Sequence, residues 1–167
     1  MLSTELGNLY SEVCSKMLPY YVSNRNPLKV SNNGLPTESG NCVARTAVAL
    51  ALAEYYTDKK ALAQLFYLTS VYSWKEDKFT HARAITEGDQ QGTTFIMDSD
   101  RSGFMGRAWS KTSSGPIELS GARRSPHFLR RGQRYYTLPP AEFCTKYIGL
   151  PWNHVARYVI DAANDIL

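Results

Sequence analysis

The sequence predicts an α+β fold, and three observations predict it. Apolar residues follow helical spacing at both ends of the chain. Between them, from about residue 66 to 97, β-branched and aromatic residues dominate and turn-formers separate the runs. Helices and strands therefore fall into blocks and do not alternate one for one, which argues against a parallel α/β sheet. At 167 residues, with 43% hydrophobic and 20% charged residues, the chain can bury a core as a single domain over 1–167.

Each element has its own warrant. Leu6, Leu9, Val13 and Met17 recur at helical spacing, so residues 4–17 form a helix that Ser3 or Thr4 can cap and Pro19 stops. Residues 23–40 are rich in Asn, Pro, Gly and Ser and form a loop. A second helix starts at Cys42 and runs to about Tyr55, with Asn41 placed as its N-cap. Ala, Val and Leu occupy most of its faces, so it is buried nearly all round. Asp58 opens a short helix through Leu65. Strands follow over Phe66–Trp74, Phe79–Thr86 and Thr93–Met97, the last two joined as a hairpin by Gly88–Gly92. Tyr135–Leu138 forms a further strand, Pro140 opens a short helix to about Ile148, and Pro151 at N1 opens a last helix. Val155, Val159, Ala162 and Ile166 lie on one face of that helix.

Composition removes several function classes. No apolar run approaches the ~20 residues of a membrane span. The N-terminus lacks the basic-then-apolar order of a signal peptide. Cys14, Cys42 and Cys144 are too few and too scattered for a disulfide framework or a Cys-only zinc site, and an odd count fits a reducing compartment. His127 and His154 have no ligand partner at metal spacing, and no glycine-rich phosphate loop occurs, so neither metal nor cofactor is expected. Net charge is +4, yet Arg101–Arg134 alone carries +7. That stretch can meet an anionic surface or an acidic partner, or be a solvated surface of scattered arginines.

The chemistry-bearing residues are Cys42, His81 and Asp98. A thiol at a helix start, after Gly40-Asn41, meets unpaired backbone N–H groups and the positive end of the helix dipole, which favour thiolate. The same N–H groups can hold a carbonyl oxyanion, and Gly40 lets a substrate approach closely. His81 opens one hairpin strand and Asp98 closes the other, so a register pairing the two places a carboxylate against the imidazole. Asp100 is a rival for that role. Cys42 as an ordinary core thiol is the plain alternative. Gln90 and Gln91 read as exposed turn residues, Trp74, Trp109 and Trp152 as packing residues, and Cys14 as inert.

The order of nucleophile helix, strand, His strand and Asp strand resembles the papain-like superfamily in its transglutaminase-like branch. Cys to His is 39 residues and His to Asp 17, a short spacing similar to that of protein-glutamine deamidases, including protein-glutaminases and the deamidase domains of bacterial toxins and effectors. The run Cys42-Val43-Ala44-Arg45 resembles a Cys-x-Ala-Arg run around the protein-glutaminase nucleophile, and Asn41-Cys42 the Asn-Cys start of papain-fold toxin domains. The resemblance covers residues 35–100. Two positions depart from the wider pattern: Arg83 stands where an aromatic often follows the His, and Ser99 where Pro often follows the Asp.

The resemblance implies a papain-like/transglutaminase-like core, a nucleophile helix packed on an antiparallel sheet. It implies a Cys42-His81-Asp98 triad that deamidates glutamine in a protein substrate through a thioester. Transamidation to lysine, or backbone cleavage as a cysteine protease or peptidoglycan amidase, would use the same residues. It also implies an effector or toxin, secreted or injected by a route needing no signal peptide, with a cytoplasmic protein as the alternative. From another class comes a non-catalytic binding module that uses the 101–134 stretch.

Overall fold

In a computed structural model of the protein, the described residues are 1–17, 37–69, 77–91, 93–98, 117–120 and 133–167. At 15, 17, 37–41, 67–69, 77–81, 117–120 and 133–135 the backbone alone is described.

Helix α1 (Ser3–Met17) buries Leu6, Leu9, Tyr10, Val13 and Cys14, a stripe at i, i+3, i+4, i+7 and i+8. Its first turn is held from a distance. The backbone N–H and hydroxyl of Ser3 donate to the Asp89 carboxylate at 2.9–3.1 Å, and Lys59 Nζ meets that carboxylate at 2.7 Å. A carboxylate at the positive helix end is favourable, and it satisfies a donor that the helix leaves unbonded.

Helix α2 (Thr37–Tyr56) is the centre of the core. Residues 47–53 are all at most 1% exposed, so the expected all-round burial holds. It begins five residues before the expected start at Cys42. Thr37, Glu38, Ser39, Gly40 and Asn41 are helical, so Asn41 is no N-cap and the loop expected over 23–40 does not include 37–40, while 23–36 lie outside the described residues. Thr37 and Ser39 are themselves good helix-start residues, a signal that the turn-forming composition upstream obscured.

Strand β1 (Leu62–Thr69) overturns the short helix expected from Asp58 to Leu65. Thr57 and residues 58–61 form a tight connection, in which the Thr57 hydroxyl accepts from the Lys59 N–H at 3.1 Å. Leu62-Ala63-Gln64-Leu65 has good helix formers, but pairing on both edges determines its conformation. Strands β2 (Asp77–Glu87) and β3 (Thr93–Met97) form the expected hairpin. The Gly88 N–H donates to the Thr93 carbonyl at 2.9 Å across the turn. Strands β4 (Ile117–Ser120) and β5 (Gln133–Leu138) complete an antiparallel sheet of order β4-β3-β2-β1-β5. The strand expected over Tyr135–Leu138 is the end of β5.

Helix α3 (Pro140–Phe143) continues as a π-helical turn, Cys144–Ile148, and ends at Gly149. Gly149 adopts φ 78°, and its N–H closes the turn onto the Cys144 carbonyl at 2.8 Å. Helix α4 (Trp152–Ile166) follows, with Pro151 one place earlier than expected, at the cap. Val155, Val159, Ile160 and Ala163 are buried, while Ala162 and Ile166 pack at the core's margin.

The helices cover one face of the sheet, where Ala63, Leu65, Ala82, Ala84, Phe95 and Met97 join α1 and α2 in the core. Alanines on both sides let α2 lie close to β2. Gln64, Phe66, Arg83, Ile85 and Ile96, from the alternate positions of the same strands, are buried as well. The observed class is therefore α+β. No helix among the described residues is long and apolar enough to cross a membrane.

Candidate functional site

Cys42 is the sixth residue of α2 and is 5% exposed, within the core. The first four N–H groups of a helix are the ones left unbonded, so Cys42 lies beyond them. The expected thiolate stabilisation and oxyanion pocket at the helix start, with Gly40 and Asn41, are corrected accordingly: all three positions are helical. The Cys42 carbonyl accepts the Thr46 hydroxyl at 2.7 Å, a bond that ties the second and third turns of the helix.

His81 lies within β2, opposite Phe66. The β1/β2 register shifts between Phe66 and Tyr67, beside this position, and such a bulge changes how a strand presents its residues. The hairpin register differs from the expected one by two residues. Ala84 pairs with Met97 and Ile85 with Ile96, so position 98 falls across from Arg83, not His81. The longer strand β2 and the Gly88-to-Thr93 closure set that register. A shift of two preserves which positions share a face.

Asp98 is 7% exposed. Its Oδ2 lies 3.9 Å from Arg83 Nη1, with both side chains 3% exposed. Arg83 is fixed on two further sides. Its Nε donates to Gln64 Oε1 at 2.6 Å, and its guanidinium carbon stands 4.9 Å from the centre of the Phe66 ring. Gln64 and Arg83 are direct cross-strand partners. A buried polar row thus runs Gln64–Arg83–Asp98 over three neighbouring strands. Arg83 entered the sequence reading only as a departure from a family pattern. Alternation with Ala82 and Ala84 assigns Arg83 to the other face of the strand, but no local signal marks it as buried.

Asp98 also reaches the helices. It acts electrostatically on Tyr10 of α1, as does Arg45, one turn beyond Cys42. Burial first, then the nearby Cys14, raise the Tyr10 hydroxyl well above its ordinary range. Burial pushes the Cys14 thiol up to about 12, although the Tyr10 hydroxyl and the Arg45 guanidinium both hydrogen-bond its sulfur. Cys14 is thus a protonated core thiol. Burial likewise pushes Cys144 up to about 12. None of the three cysteines is in a disulfide. The early half of α2 and the end of β3 therefore lie at the same end of the molecule.

Among the other expected residues, Gln90, Gln91 and His154 are exposed and Trp152 is half-buried. No group of three or more potential metal ligands occurs among the described residues. Trp74, Ser99, Asp100, Trp109, His127 and most of the basic 101–134 stretch lie outside the described residues.

No protein-family model, curated protein or solved structure matches this chain.

Proposed function

We propose that the protein is a cysteine-dependent enzyme that deamidates glutamine side chains of a protein substrate, on a papain-like/transglutaminase-like core. One observation carries this reading. Arg45, one turn after Cys42, and Asp98, at the end of β3, both act electrostatically on Tyr10, and the strand that carries His81 is paired beside β3. In the reaction His81 takes the Cys42 proton and the thiolate attacks the glutamine carboxamide carbon. The C–N bond breaks, and ammonia leaves with a proton from the imidazolium. Water, deprotonated by His81, then hydrolyses the thioester to glutamate and restores the thiol. Asp98 holds the imidazole in the tautomer that accepts the thiol proton.

The pH dependence of Cys42 alkylation by iodoacetamide, mapped by mass spectrometry, tests this. Reaction well below the ~8.5 of a free thiol, lost in His81→Ala, is the expected result. Ammonia release from a glutamine-containing protein of intact length then separates deamidation from backbone cleavage. A Cys42 that reacts only on unfolding would refute the proposal.

One observation favours a second reading. Cys42 is buried in the second turn of a core helix, as a structural thiol would be. The protein is then a binding module acting through its basic stretch, and Cys42→Ala leaves its function intact.

A further inference from the structure

We propose that Arg83 is a positioning residue for the reaction, fixing the Asp98 carboxylate in the orientation in which it serves His81. The inference rests on the deamidase reading. Its physical basis is the cross-strand row. A carboxylate as buried as that of Asp98 is positioned by the cation packed against it. Arg83 provides that cation at 3.9 Å. The guanidinium cannot swing, because Gln64 takes its Nε–H at 2.6 Å and the Phe66 ring lies beneath it. Arg83 is thus anchored by β1 and presents its outer nitrogen to the end of β3.

The residue is also close in register to the imidazole it would influence. Phe66, under the guanidinium, is the direct cross-strand partner of His81. On the helix side Tyr10 of α1 interacts with Asp98, and Cys14 of α1 and Arg45 of α2 interact with Tyr10 in turn. None of them lies in the sheet row, so Arg83 is the member of that row which carries a positive charge. Here Arg83 replaces the aromatic that often follows the histidine in the resembled family, and gives that position an electrostatic task.

The test is the pH profile of Cys42 alkylation in Arg83→Met, Arg83→Lys and Gln64→Leu, with thermal unfolding on each. Without the guanidinium the carboxylate is no longer held in place, so it supports the imidazolium less. Arg83→Met is expected to move the profile upward by about one pH unit, a roughly tenfold slower reaction on its acid limb. Arg83→Lys keeps a charge but loses the Nε–H fork and should recover part of the shift. Gln64→Leu keeps the guanidinium but frees its stem, so a smaller upward shift is expected. If Arg83→Met fails to fold, the other two variants decide. Lower melting temperatures with unmoved profiles in Arg83→Lys and Gln64→Leu would overturn the positioning role while leaving the deamidase reading in place. Wild-type alkylation that does not depend on His81 would remove the deamidase reading, and the positioning role with it.

Discussion

The alternate positions of the central strands carry two different chemistries. Ala63, Leu65, Ala82, Ala84, Phe95 and Met97 are apolar and mostly small, and they meet α2. Gln64, Arg83 and Asp98 form a polar row flanked by Phe66, Ile85 and Ile96, and it is just as deeply buried. The apolar set is held by area removed from water, which is non-directional. The polar row is held by a few oriented contacts, and it loses stability sharply if one partner goes. A buried charge is poor evidence for stability but good evidence for a constrained position.

The contrast can be broken from either side. The largest effect is expected at the row: Arg83→Met removes the cation beside a buried carboxylate and should cost about 3–5 kcal/mol in denaturant unfolding. Arg83→Met combined with Asp98→Leu should recover most of that loss, because no buried charge is left. On the helix side, Leu52→Ala should cost about 2–5 kcal/mol by leaving a cavity in α2's packing, read in the same titration. Ala84→Val should cost about 1–3 kcal/mol, because the helix cannot move away from β2 without opening the core. A double cycle of Leu52→Ala with Arg83→Met should be close to additive, since the two sites rest on different contacts.

The smallest expected effect lies outside both sets, at the Ser3–Asp89–Lys59 clamp. Asp89→Asn should cost about 0.5–2 kcal/mol by weakening the hold on the first turn of α1. The hydrogen bond from Lys59, then those from Ser3, hold the Asp89 carboxyl below its ordinary range, against the opposing effect of its partial burial. The unfolded carboxylate titrates near 3.9. The clamp's contribution is therefore present in full above that value and is lost as pH falls through the lower folded value. Acid unfolding of Asp89→Asn should lack this component, so its stability should converge on that of the wild type at low pH.

Local pattern was enough for much of this architecture. The i, i+3, i+4 stripe of α1 and the all-round apolar α2 were legible, as was the β2–β3 hairpin closed between Gly88 and Thr93. What was not legible depended on distant partners. Leu62–Leu65 becomes strand because β2 and β5 pair with it on both sides. The start of α2 moved to Thr37 because Gly40 and Asn41, turn-formers by composition, are carried within a strongly helical run. The geometry around Cys42, His81 and Asp98 was not legible. Cys42 and Asp98 do occupy one end of the molecule, but the hairpin register brings Asp98 across from Arg83. Nothing local in Ala82-Arg83-Ala84 says that an arginine there will be buried.

The strand order has a consequence for synthesis. Strand β1, with the sequence Leu-Ala-Gln-Leu-Phe-Tyr-Leu-Thr, can pair with β2 almost as soon as the hairpin has been made. Its other edge waits for β5, which is encoded far later in the chain. Until Gln133–Leu138 emerges, a nascent chain presents an apolar strand with an open row of backbone donors and acceptors, the kind of edge that recruits other chains. The last part of the polypeptide thus acts as a seal on a sheet built much earlier. Its late arrival makes the interval between the two strands the period in which the growing protein most needs a chaperone's cover.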